Sequence, residues 1–291
     1  MFQGSYVALI TPFQNGSIGE DQFQSLVEWQ IEEGTQGLVP CGTTGESPTL
    51  NHEEHKRVVN ICVEVAKGRV PVLAGAGSNS TEEAISLTRH AKQAGADGSL
   101  QVTPYYNKPT QAGLYQHFKE IHDAVDLPLV IYNIPGRSIV DMSVETMASL
   151  AKLPNIVGVK DASNDPVRPL KTSIACGEDF DQLSGEDPSV LALLANGGHG
   201  CISVTANVAP RQCAAMHGAW AAGNHSEALT IQQRLQPLHE ALFMEANPSA
   251  VKYAASLLGL CSPAVRLPLV ECLPATRERV EAAMRSCGIL N

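Results

Sequence analysis

Leu129-Val130-Ile131-Tyr132-Asn133-Ile134, then residues 144–152, then Ile156-Val157-Gly158-Val159-Lys160 decide the fold of this chain. A short apolar run rich in β-branched residues gives way to a stretch with a 3.6-residue apolar period, and a second short run follows. The unit is strand, helix, strand. Working outward, six more runs of the first kind lie at 5–10, 37–40, 71–75, 99–103, 182–184 and 201–204. Helical periodicity fills the gaps at 22–33, 52–67, 81–93 and 114–125. Helix starts carry the expected punctuation: Asn51 with Glu54 three residues on, Ser80 with Glu83, and Asp-Pro pairs at 165/166 and 187/188. Eight alternating units predict an α/β fold, a closed (β/α)8 TIM barrel over residues 1–224, rather than a doubly wound sheet. Beyond residue 224 the strand signal stops, and 227–243, 249–258 and 275–286 read as three helices of a C-terminal helical domain, 225–291.

Bulk composition narrows the function. With 291 residues, 44% apolar and 17% charged, the chain can bury a full core. A formal charge of −10 with scattered Lys and Arg offers no basic face, so no nucleic acid is expected as a partner. No apolar run is long enough to span a bilayer, and residues 1–13 lack the start of a secretory signal, so a cytoplasmic enzyme with no membrane partner is the expectation. The eight cysteines, at 41, 62, 176, 201, 213, 261, 272 and 287, have no CxxC spacing and read as reduced, buried thiols.

In such a barrel the chemistry sits where strands end at the carboxyl face. The sixth run ends in Lys160. An amine in an apolar pocket is freed of its proton more easily and becomes a nucleophile toward carbonyls. Pairing with Asp161 or a helix end explains the same placement, and position alone leaves both open. Tyr132, closing the fifth run, suits a proton carrier or an amphipathic plug with one hydrogen bond. The second run enters Cys41-Gly42-Thr43-Thr44-Gly45-Glu46-Ser47, either a carboxylate-binding loop or a tight turn.

Other motifs fail on their own terms. Gly75-Ala76-Gly77 lacks the third glycine of a dinucleotide fingerprint. Gly197-Gly198-His199-Gly200 precedes the eighth run and belongs to the stability face. Gly185-Glu186-Asp187 is acidic where a phosphate site wants donors. His52 and His55 share a helix face without a third ligand, so no metal is expected.

Four segments taken together resemble the dihydrodipicolinate synthases, of the pyruvate-dependent class I aldolase and N-acetylneuraminate lyase superfamily. They are Gly42-Thr43-Thr44-Gly45-Glu46-Ser47, Thr103-Pro104-Tyr105-Tyr106-Asn107, Tyr132-Asn133-Ile134-Pro135-Gly136-Arg137 and Gly158-Val159-Lys160-Asp161. The likeness runs from Met1 to Leu290. It implies a lyase in which Lys160 forms a Schiff base with pyruvate and the enamine attacks L-aspartate 4-semialdehyde, giving 4-hydroxy-tetrahydrodipicolinate for diaminopimelate and lysine biosynthesis. It implies no cofactor beyond that covalent imine. Tyr132, Thr43 and Tyr106 are the implied proton carriers, with Tyr106 borrowed from a neighbouring subunit of a homotetramer built as a dimer of dimers. Thr44, Gly185 and the backbone at Ile202 are implied at the substrate, and Arg137 at the second substrate's carboxylate. Ser47, His52, His55, Asn79, Glu83 and Tyr105 match positions that bind feedback-inhibiting L-lysine in sensitive members. The runner-up is an N-acetylneuraminate lyase or other pyruvate aldolase; a non-catalytic acid-binding barrel is more distant.

Overall fold

A computed structural model describes residues 1–290. The fold is the expected (β/α)8 barrel with a helical C-terminal part. Its strands are β1 (Gly4–Ala8), β2 (Gly37–Val39), β3 (Leu73–Gly75), β4 (Gly98–Val102), β5 (Leu129–Asn133), β6 (Ile156–Asp161), β7 (Asp181–Ser184) and β8 (Gly200–Ser203). The chain divides into two compact units, 1–3 with 72–202, and 4–71 with 203–291.

In the first unit β3 to β8 pair in parallel, each with the next in sequence. Their residues are mostly buried on both faces, as expected of strands covered by helices on one side and a barrel interior on the other. The register sets Tyr132 opposite Lys160, and Lys160 opposite Leu183. Helices Thr81–Ala94, Gln111–Ala124 and Val144–Leu150 start where Ser80, Thr110 and Ser143 accept a backbone N–H from the first turn. Their inner faces close a core around Leu114, Phe118, Ile121, Leu129, Ile131, Met142, Met147 and Leu150, all fully buried. Each such side chain contributes about 1.5–3 kcal/mol. In the Gly197–Gly200 segment, His199 Nδ1 accepts the N–H of Gln182 at 3.0 Å.

In the second unit β1 and β2 pair in parallel, with Tyr6 opposite Gly37. A two-residue hairpin joins Phe13–Gln14 to Ser17–Ile18. Asn15 and Gly16, both at positive φ, form its turn. Asn51 makes a full capping box with Glu54 at the head of helix His52–Ala66. The three expected C-terminal helices are His225–Ala241, Ser249–Leu257 and Pro274–Ser286. The first packs on Pro210–Ala221, and the other two pack on each other. Among the described residues no helix is long and apolar enough to cross a membrane.

One buried histidine makes the first unit sensitive to acid. His117, in helix Gln111–Ala124, shares a 2.9 Å hydrogen bond with the Thr81 hydroxyl through Nδ1, and among the described residues its Nε2 has no hydrogen-bond partner. Burial holds its pKa down, from 6.5 to about 4. The folded-state value lies below the unfolded one, so stability is intact above pH 6.5 and is lost as pH falls toward 4. The loss amounts to about 3 kcal/mol at most. His117→Leu should therefore flatten the fall in urea-unfolding free energy between pH 7 and pH 4.5. An equal fall in both proteins would contradict this assignment.

Candidate active site

The first unit supplies a lysine with unusual surroundings. Lys160 lies in β6 and is only 6% exposed. Successive strand residues face opposite ways, so Lys160 and Asp161 cannot share a face. Asp161 is in fact engaged elsewhere: its Oδ2 lies 3.0 Å from Arg168 Nε, and its Oδ1 accepts from the backbone N–H of Ser163 at 3.0 Å and from the Ser163 hydroxyl. The pairing of Lys160 with Asp161 that the sequence left open is not made. Among the described residues no hydrogen bond or salt bridge reaches the Lys160 ammonium. Its Nζ instead stands 4.3 Å from the centre of the Tyr132 ring, in the neighbouring strand.

A polar network outside this pair fixes the strand ends. Asn133, closing β5, donates from Nδ2 to Asp141 at 2.8 Å and accepts the N–H of Met142 at its Oδ1. Arg168, buried at the start of helix Arg168–Cys176, reaches Asp141 at 3.1 Å as well as Asp161, and donates to the Met142 carbonyl. Sequence reading singled out neither Arg168 nor Asn133 for this role. The only available signal was the position of Arg168 just after an Asp-Pro helix start.

Past β7 the backbone at Gly185 passes close to Ala162 and to the Lys160 stem. A Cβ on Gly185 would lie 3.2 Å from Lys160 Cε and 2.8 Å from the Ala162 Cβ, while the Gly185 N–H donates to the Asp161 carbonyl at 2.7 Å. The adjacent Glu186 has its pKa raised, first by burial; Lys160 and Arg137 pull it down, and Asp187 and Asp161 push it up. Arg137 is exposed, in the short helix Pro135–Ser138, which Ser138 anchors by accepting from the Thr103 hydroxyl at 3.1 Å. Ile202, in β8, is fully buried.

Tyr106 stands apart from these residues. It has φ +72° and is 92% exposed. The turn that carries it is held by Asn107 Nδ2 donating to the Asn79 carbonyl and by Asn79 Nδ2 donating to the Tyr105 carbonyl. Nearby, the Ser78 hydroxyl donates to Glu83, and the Tyr105 hydroxyl has its pKa raised by burial and by the Glu83 charge. Asn79, Glu83 and Tyr105 are thus neighbours in the first unit.

The second unit holds the other candidates. Its 41–47 turn carries a half-buried Thr43 and a buried Thr44, followed by a half-buried Ser47. The Thr11 hydroxyl donates to the Gly45 carbonyl at 2.7 Å, and Asn247 Nδ2 donates to Thr44 Oγ1 at 2.9 Å. His55 is buried in the following helix and its carbonyl accepts from the Cys41 thiol, while His52 is exposed at the helix start. Asn247 escaped the sequence reading because nothing local marks it.

The sequence model of the dihydrodipicolinate synthetase family matches residues 1–287. A relative from Rhodospirillum centenum, named 4-hydroxy-tetrahydrodipicolinate synthase, is 68% identical over 290 residues, spanning 100% of both chains. Among solved structures, the chloride-inhibited dihydrodipicolinate synthase from Acinetobacter baumannii complexed with pyruvate is 45% identical, with TM-score 0.97 over 100% of both chains. The enzyme from Cyanidioschyzon merolae with lysine bound is 39% identical, with TM-score 0.97 over 99% of both chains.

If Arg168 is what keeps Asp161 and Asp141 compensated, Arg168→Met should lower the unfolding free energy at pH 7 by about 3 kcal/mol, because a mostly buried carboxylate loses its partner. Urea denaturation measures this. A loss below about 1 kcal/mol would mean that the strand ends are held by something else.

Proposed function

The chain belongs to the dihydrodipicolinate synthetase family, and from that premise we propose that Lys160 is the nucleophile of a lyase that condenses pyruvate with L-aspartate 4-semialdehyde. The observation that carries this reading is the buried Lys160, without an ion-pair partner among the described residues, beside the Tyr132 ring.

Each step follows from what such a lysine can do. Its amine adds to the ketone carbon of pyruvate, and a proton delivered to the carbinolamine hydroxyl lets water leave, giving an iminium. The iminium withdraws electrons from the methyl group, which loses a proton and becomes an enamine carbon. That carbon attacks the aldehyde of the second substrate, a carbon–carbon bond forms, and the resulting alkoxide takes a proton. Attack of the substrate's own amine on the imine carbon then closes the ring, expels the Lys160 amine and releases 4-hydroxy-tetrahydrodipicolinate. No electrons are gained or lost overall, so the sequence needs no redox cofactor, and the iminium supplies the electron sink that a Lewis-acid metal would otherwise provide.

Tyr132 is assigned as the proton donor, with Thr43 and a Tyr106 from a second subunit completing the relay. The nearly full exposure of Tyr106 on a turn tied down by Asn79 and Asn107 supports its use by another copy of the chain, here read as a homotetramer of two dimers. Thr44, Gly185 and the Ile202 backbone are assigned to substrate binding, and Arg137 to the second substrate's carboxylate. Ser47, His52, His55, Asn79, Glu83 and Tyr105 are assigned to an inhibitory lysine, with Glu83 the natural partner for its ammonium. The division into a catalytic barrel, 1–224, and a helical extension, 225–291, and a cytoplasmic location belong to the same reading.

Borohydride reduction in the presence of pyruvate should leave a stable adduct on Lys160, identified by peptide mass spectrometry; a missing adduct, or one on another lysine, ends this reading. Lys160→Ala should lower turnover by on the order of a thousandfold or more. Gly185→Ala should fold yet label slowly, because the new methyl displaces the Lys160 stem. Tyr106→Phe should cost roughly ten- to a hundredfold in kcat with little change in melting temperature, and unchanged kinetics would remove it from the relay.

A further inference from the structure

Within the second unit, the turn that carries Thr43 and Thr44 is strained and heavily tied down. Cys41 (φ +57°) and Glu46 (φ +56°) both adopt the left-handed conformation without being glycine. Such residues persist only where their surroundings hold them. Here the hold comes from more than two hundred residues further along the chain. Glu46 Oε1 accepts from Lys252 Nζ at 2.6 Å, and its Oε2 accepts from the Arg266 backbone N–H at 2.9 Å. Both side chains of the pair are 0% exposed. The Lys252 ammonium also lies 4.1 Å from the centre of the Phe13 ring, with the Arg266 guanidinium 4.3 Å from the same ring. Burial pulls the Lys252 pKa down while the Glu46 charge pulls it back up.

A dry ion pair is a poor way to gain stability, since apolar residues of the same volume often do as well or better. What it provides is one fixed geometry. Asn247 adds a second, chemical constraint. Its Nδ2 donates to Thr44 Oγ1, so an acceptor position of that hydroxyl is filled, and among the described residues the Thr44 O–H has no acceptor of its own. A buried hydroxyl with its proton unspent suits an anionic oxygen.

We infer that Lys252 and Asn247 are positioning residues for pyruvate binding, Lys252 by clamping the turn through Glu46 and Asn247 by orienting the Thr44 hydroxyl as a donor. This rests on the reading that Thr44 holds the pyruvate carboxylate. Three variants of the full chain separate the two ideas: Thr44→Val, Asn247→Ala, and the charge-free pair Glu46→Gln with Lys252→Met. In each, KM for pyruvate should rise at least tenfold while kcat falls less than about threefold, and borohydride should still label Lys160 at saturating pyruvate. A KM that moves in Thr44→Val but stays within twofold of the parent in Asn247→Ala and in the double variant overturns the clamp and leaves the Thr44 reading standing. A KM unmoved in all three overturns both. Should the double variant fail to fold, Asn247→Ala decides alone, because it removes one hydrogen bond and no charge.

Discussion

The arrangement around Lys160 depends on where the Asp161 carboxylate goes. Asp161 is next to the lysine in sequence and would be its simplest counter-ion. Strand alternation sends the two side chains to opposite faces, and Arg168 and Ser163 take up the carboxylate. Among the described residues Lys160 is therefore buried without a salt bridge, next to an aromatic ring whose electron-rich face tolerates positive charge without fixing it. A lysine in a tight ion pair would be a poor nucleophile. One placed beside a ring and close to the Gly185 backbone has no salt-bridge partner competing for its nitrogen.

The same logic explains why the polar residues near the strand ends are engaged with one another rather than with Lys160. Asn133, Asp141, Asp161 and Arg168 meet through hydrogen bonds and ion pairs, and this set ties down the ends of β5 and β6. Fixing both ends holds Tyr132 in register with Lys160. The network is one step removed from the chemistry, yet it sets the distance on which that chemistry would rely.

The strand–helix alternation was legible because burial imposes short apolar runs and a 3.6-residue period on any sequence that adopts this fold. Lys160 and Tyr132 stood out for the same reason, as polar endings to apolar strands. The Asp161 alternative was excluded less by the fold than by a rule already available from the strand period, which separates adjacent side chains. The Asn15-Gly16 hairpin carried a clear turn signal, but strands of two residues have no periodicity to read. The partners of Arg168, Asn247 and Lys252 were not legible. They lie 7, 203 and 206 residues away, and no local pattern of residue types encodes such a meeting.

That distance has a bearing on what the C-terminal helices are for. If they served only to cover apolar surface, helix Ser249–Leu257 would present apolar residues to the 41–47 turn and the turn would relax toward ordinary backbone conformations. It presents a lysine instead, and the chain just before it presents an amide. Both reach polar atoms of a turn whose backbone is strained at Cys41 and Glu46. The desolvation cost of burying Lys252 and Glu46 is several kcal/mol per ion before their mutual attraction offsets it. A fold that accepts this cost at one turn, and fills the acceptor of one threonine there, has fixed the direction of a hydroxyl as well as the path of the backbone.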